Sequence, residues 1–191
     1  MTEPQPIATL PPIEELHGDV PRSPRTGEPT RPAVVLVSAI LQYLAVAALA
    51  AAYGWHWWLA AHPDSYVTSA RLIEWVAPEP GKWLSLTLEG GFAAALVLAG
   101  GACGVVGFQA WNGWRWTRWG GLVAVALAGG FAAILSDWAF IGLGLAVVGW
   151  ALLFLPPSTR YFRQWEQVRA IRPEAYRRPS SIFYGRLPRF R

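Results

Sequence analysis

The chain has 191 residues, 53% of them hydrophobic and only 15% charged, with a net charge of +4 and a mean hydropathy of +0.28. Average soluble domains carry about 25% charged residues, so a water-soluble fold of this length is short of polar surface here. The single cysteine, Cys103, excludes an intrachain disulfide and any cysteine-cluster metal site.

The shortage of charge is uneven. Residues 33–54, 90–114 and 119–136 contain no Asp, Glu, Lys, Arg or His. Runs of about 20 apolar residues match the roughly 30 Å hydrocarbon core of a bilayer at about 1.5 Å rise per residue. The predicted fold is an all-α membrane protein, a four-transmembrane-helix bundle with a disordered N-terminal tail and a basic amphipathic C-terminal helix. Fifteen arginines against one lysine, beside abundant Ala and Gly, is the bias of a GC-rich genome and points to a bacterial source.

Residues 1–32 hold eight prolines and mixed charges without periodicity. Such a segment buries too little apolar area to offset its ordering entropy, so it reads as a disordered cytoplasmic tail. The membrane domain follows over residues 33–155, with the first span at about 33–54. Small residues in "ALAAAYG" leave signal cleavage as the alternative to an uncleaved span.

The external loop, 55–89, opens "WHWWLAAHPDSY", which sets Trp55, Trp57 and Trp58 at the outer interface. His56, His62 and Asp64 match no metal-ligand spacing and read as solvated interfacial groups. "DSYVTSARLIEWVA", residues 64–77, predicts a short helix capped by Asp64 or Ser65, with Tyr66, Ala70, Ile73 and Ala77 on one face and Arg71 paired with Glu74.

The second span is placed at about 90–111. If it begins at Gly90, Glu89 complements the positive end of the helix dipole. If it begins near Trp83, the carboxylate lies within the membrane, where acids carry protons, hold ions or pair with buried cations. Gly100, Gly104 and Gly107 form a small-residue stripe suited to close helix packing.

"GFQAWNGWRWTRWGG", residues 107–121, joins the second span to a third at about 119–135. Trp111, Trp114, Trp116 and Trp119 with Arg115 and Arg118 read as an interfacial anchor in the headgroup layer. A nucleic-acid platform would need bases to reach rings held against the bilayer, so no nucleic-acid partner is expected. Ser136 and Asp137 then cap a fourth span at about 138–155, which Pro156 and Pro157 stop. Glu89 and Asp137 fall on the same external side and form the one candidate ion or proton site.

The basic cytoplasmic tail, 156–191, begins with an amphipathic helix over about 158–172. Tyr161, Trp165 and Val168 share a face, and Arg160, Arg163, Trp165, Arg169 and Arg172 are the expected contacts to anionic lipid headgroups. After residue 159 there are nine arginines against Glu166 and Glu174, whereas the 55–89 loop has Arg71 and Lys82 against Asp64, Glu74, Glu79 and Glu89. The positive-inside rule therefore puts both termini in the cytoplasm and the protein in the bacterial inner membrane.

The sequence holds no nucleophile–base pair, phosphate-cradling loop, zinc motif or dinucleotide fingerprint, and nothing in it calls for a cofactor. A non-enzymatic accessory or scaffold subunit of an envelope or transport assembly is the first expectation, with membrane lipids and another membrane subunit or a second copy as partners. A small oligomeric transporter or channel using Glu89 and Asp137 is the second. The third is an enzyme acting on lipid-linked substrates at the outer interface, which requires His56, His62, Asp64 and Glu89 to converge.

Overall fold

A computed structural model describes Pro21, Ser23 and residues 28–170. The predicted disorder over 1–32 and the tail beyond 170, Arg172 included, lie almost wholly outside the described residues. Within them the chain is helical, without a strand: α1 (Ala33–Ala60), α2 (Arg71–Val76), α3 (Trp83–Trp111), α4 (Thr117–Ile134), α5 (Ala139–Leu152) and α6 (Pro156–Ala170).

Two helices outrun their predicted spans. α1 passes Gly54 unbroken and stops only before His62 and Pro63, because an isolated glycine weakens a helix without ending it whereas a proline bars the helical conformation of the residue before it. α3 begins at Trp83, two turns before Gly90. At 28 and 29 residues these helices are about 42 and 43 Å long, enough to cross a bilayer and emerge from it.

α1, α3 and α4 are long and apolar enough to span a membrane. The predicted fourth span shrinks to the 14 residues of α5, and reaches that measure only together with α6, from which it is bent by 65°. Pro156 and Pro157 do more than stop a helix. They open the next one, where their missing N–H groups have no intrahelical acceptor to lose.

α1 packs against α3 and α5, and α4 packs against the same two. The α1 face that closes this arrangement runs Val35, Ser38, Gln42, Ala45, Leu49, Ala52 and His56, all buried at helical spacing. Small residues set its distance from its neighbours. A Cβ on Gly142 would lie 2.7 Å from the Leu49 side chain, and one on Gly107 would lie 3.0 Å from Gln42 Cβ. The predicted α3 stripe thus does face α1, tightly at Gly107 and more loosely at Gly100 and Gly104, both opposite Val46. Two polar side chains reinforce the seam: the Ser38 hydroxyl donates to the Gly149 carbonyl at 2.7 Å and the Gln42 amide to Ala146 at 3.2 Å.

Residues 61–82 cap the end of the bundle where α1 finishes and α3 starts. The helix predicted over 64–77 forms only as a 3₁₀ turn at Pro63–Ser65 and the six-residue α2. Tyr66, Ala70 and Ile73 are all buried, but Ala77, expected on the same face, is exposed and ends α2 with φ +45°. Arg71 turns away from Glu74: its backbone N–H donates to the Leu135 carbonyl at 2.9 Å and its guanidinium to Ala132 at 3.1 Å. The cap therefore satisfies carbonyls that the end of α4 leaves without helical partners.

Candidate functional site

The inward stripe of α3 passes Ser85, Glu89, Phe92, Ala99 and Cys103, so Glu89 is carried to the bundle interior just as His56 is by the stripe of α1. Glu89 sits six residues into α3, about 9 Å from its start. The two side chains meet: His56 Nε2 lies 2.8 Å from Glu89 Oε2, with His56 fully buried and the Glu89 side chain 17% exposed. The solvated interfacial histidine expected at position 56 is instead a core residue. Phe92 stands edge-on to its ring at 5.1 Å.

The second ring nitrogen defines the protonation of the pair. His56 Nδ1 is 3.2 Å from the Ser69 carbonyl oxygen, which only accepts, so Nδ1 carries a hydrogen and donates it. Nε2 and Oε2 then hold one proton between them, as imidazolium and carboxylate or as neutral imidazole and carboxylic acid. Through Ser69 this bond also ties the cap to α1. Glu89 Oε1 and the Tyr66 hydroxyl are buried without hydrogen-bond partners among the described residues. Burial pushes the Tyr66 hydroxyl above the ordinary tyrosine range; the nearby Ser85 side chain opposes this shift and the negative charge of Glu89 adds to it.

The other members of the predicted external set lie elsewhere. Asp137 is 91% exposed and forms an ion pair with Arg71, so the two candidate carboxylates have separate partners. His62 Nδ1 contacts the Trp58 carbonyl oxygen at 2.8 Å on the surface, and Asp64 is exposed. Of the four residues an outer-face enzyme requires, only His56 and Glu89 converge. No group of three or more His, Cys, Asp or Glu residues is positioned to share a metal ion among the described residues.

At the opposite end, the tryptophan–arginine turn is built into the protein. Gly113 has φ +70°, and the Trp165 indole occupies the space a Cβ would need, 2.0 Å from its position. Arg169 donates to the Gly113 carbonyl at 3.0 Å, with its guanidinium 4.1 Å from the Trp114 ring and 4.7 Å from Trp165. Arg31 lies over Trp111 at 4.3 Å, and the Tyr161 hydroxyl donates to the Trp111 carbonyl at 2.7 Å. Arg118 reaches across to the α5–α6 bend, donating to Leu153 O at 3.1 Å and Thr159 Oγ1 at 2.6 Å.

Arg169 is thus engaged by carbonyls and rings, while Arg160 and Arg163 remain exposed on α6. The apolar face of α6, expected to lie on the leaflet, instead buries Tyr161 and Phe162 in a cluster with Val35, Val106 and Leu153. Trp116 and Trp119 do project outward, 44% and 77% exposed. No family model, curated protein or solved structure matches the chain.

Proposed function

We propose that the chain is a non-enzymatic multi-pass protein of the bacterial inner membrane, an accessory or scaffold subunit of an envelope or transport assembly. In this reading it crosses the bilayer four times, the last crossing using α5 and the bend after it, with both termini cytoplasmic. The arginine-rich α6 end and the acidic balance of the cap support that orientation.

The observation that carries the reading is where the polar groups of the helices go. Ser38 and Gln42 bond to the backbone of α5, Thr87 bonds back to Trp83, and His56 and Glu89 bond to each other. Apart from Thr87, whose bond stays within α3, these groups hold helices and cap together, which is the chemistry of a rigid module that presents surfaces to other components. The test is affinity purification of the tagged full-length chain in mild detergent, followed by native mass measurement. A membrane partner at fixed stoichiometry is the expected result.

A second reading has its own observation. The unpartnered Glu89 Oε1 and Tyr66 hydroxyl, beside a pair that holds one proton, suit proton handling by a small oligomeric transporter. A clean homo-oligomer that moves protons in vesicles, and stops doing so as Glu89→Gln, would favour this reading over the subunit role.

A further inference from the structure

The turn that anchors α6 also forms one wall of a cleft. It encloses about 720 Å³ between the start of α4 and the end of α5, and is lined by Arg115, Trp116, Arg118, Trp119, Leu122, Trp150 and Phe154. Two features separate it from an ordinary groove between helices. Two guanidiniums line it, and its other lining side chains are apolar or aromatic, with the Trp150 indole N–H donating to the Arg118 carbonyl.

The two cations are held differently. Arg118 is fixed by the Leu153 carbonyl and the Thr159 hydroxyl, with Phe154 and Phe162 each 5.4 Å from its guanidinium. All of these partners are neutral, so its charge is positioned but not cancelled among the described residues. Arg115 is more exposed, its side chain at 66%, and Glu166 approaches it only to 3.5 Å. Two positive charges therefore face one carboxylate at the rim. Along the cleft, Leu122 and Phe154 are 47% and 51% exposed and Trp119 is 77% exposed, so apolar surface is open to a ligand.

We propose that this cleft binds one anionic phospholipid. Its phosphodiester sits at Arg115 and Arg118, and an acyl chain runs along Leu122 and Phe154 between the tryptophans. Guanidiniums recognise phosphate through paired charge-assisted hydrogen bonds, and indoles favour the depth at which headgroup meets chain. The net positive rim selects an anionic lipid over a zwitterionic one. A protein helix in the same place would have to bring a desolvated acid to the level of the arginines, a cost that a lipid phosphate at its native depth does not incur. The inference rests on the chain spanning a bilayer and is independent of which assembly it serves.

The experiment uses the full-length protein in detergent with phosphatidylglycerol or phosphatidylcholine of identical chains, and bound lipid is counted by native mass spectrometry. One tightly held phosphatidylglycerol is expected, bound at least about fivefold more tightly than phosphatidylcholine. Arg115→Gln should weaken it about fivefold. Leu122→Trp, which fills the cleft, should abolish the tight site, whereas Arg163→Gln on exposed α6 should leave it unchanged. Equal retention of the two lipids would overturn the proposal. So would an Arg163→Gln loss as large as that of Arg115→Gln, or displacement of the lipid by millimolar glycerol phosphate, which would make the site one for free phosphate. Arg115 lies at the exposed rim, so its substitution tests the proposal even if Leu122→Trp does not fold. Release of the protein from membranes by carbonate wash would instead contradict the membrane reading itself.

Discussion

At the scale of single residues, one hydrogen-bonded pair connects the three parts of the structure that meet at the cap. His56 belongs to α1, Glu89 to α3, and the carbonyl that fixes the imidazole belongs to Ser69. Removing the carboxylate leaves a buried imidazole nitrogen without a partner, which costs about 1–3 kcal/mol. Glu89→Ala should therefore lower the thermal midpoint of the detergent-solubilised protein by several degrees. Glu89→Gln, whose amide can still donate to Nε2, should retain most of the stability. Equal losses in both variants would show that the carboxylate has a role beyond this bond.

The pair was partly legible in the sequence. The possibility of Glu89 inside the membrane follows from the apolar "WLSLTLE" before it. The signal for its burial against the other helices is the register: Ser85, Glu89 and Phe92 are spaced four and three apart, and Leu49, Ala52 and His56 three and four apart, so each ionisable group continues a buried stripe. What the sequence could not supply is the pairing. Two stripes on separate helices meet only once their relative shift along the bundle is known, and the long cap leaves that shift open.

At the scale of elements, the α3–α4 turn and α6 stabilise each other. Arg118 of the turn and Arg169 of α6, both expected at lipid headgroups, also engage protein carbonyls and rings. The physical reason is proximity. The 65° bend after α5 turns α6 across the end of the bundle, which brings both guanidiniums to carbonyls that helix ends leave without helical partners. Gly113 is the point of contact. An alanine there needs a left-handed backbone conformation and collides with Trp165. Gly113→Ala should detach α6, seen as faster proteolysis between residues 155 and 170 with the helical content of the membrane domain preserved. Unchanged protease resistance would show that α6 is held without this contact.

At the scale of the molecule, the helices themselves were the most legible feature, because apolar runs long enough to cross a bilayer leave few alternatives. Their ends were less so. α1 and α3 extend beyond the apolar runs as interfacial helix, whereas α5 stops short where the chain turns. The proposed orientation rests on charge alone: in it, the cap with its His56–Glu89 pair faces outward, and α6 with the proposed lipid cleft faces the cytoplasm.

The most direct measurement uses the chain's only cysteine. With Cys103, which is buried, replaced by Ser, single cysteines are introduced at two exposed positions, Thr68 in the cap and Gln167 on α6. Intact cells are then treated with a membrane-impermeant maleimide. The account predicts labelling of Thr68→Cys in intact cells, and of Gln167→Cys only after the inner membrane is permeabilised. Labelling of Gln167→Cys in intact cells, or of both positions alike, would contradict it.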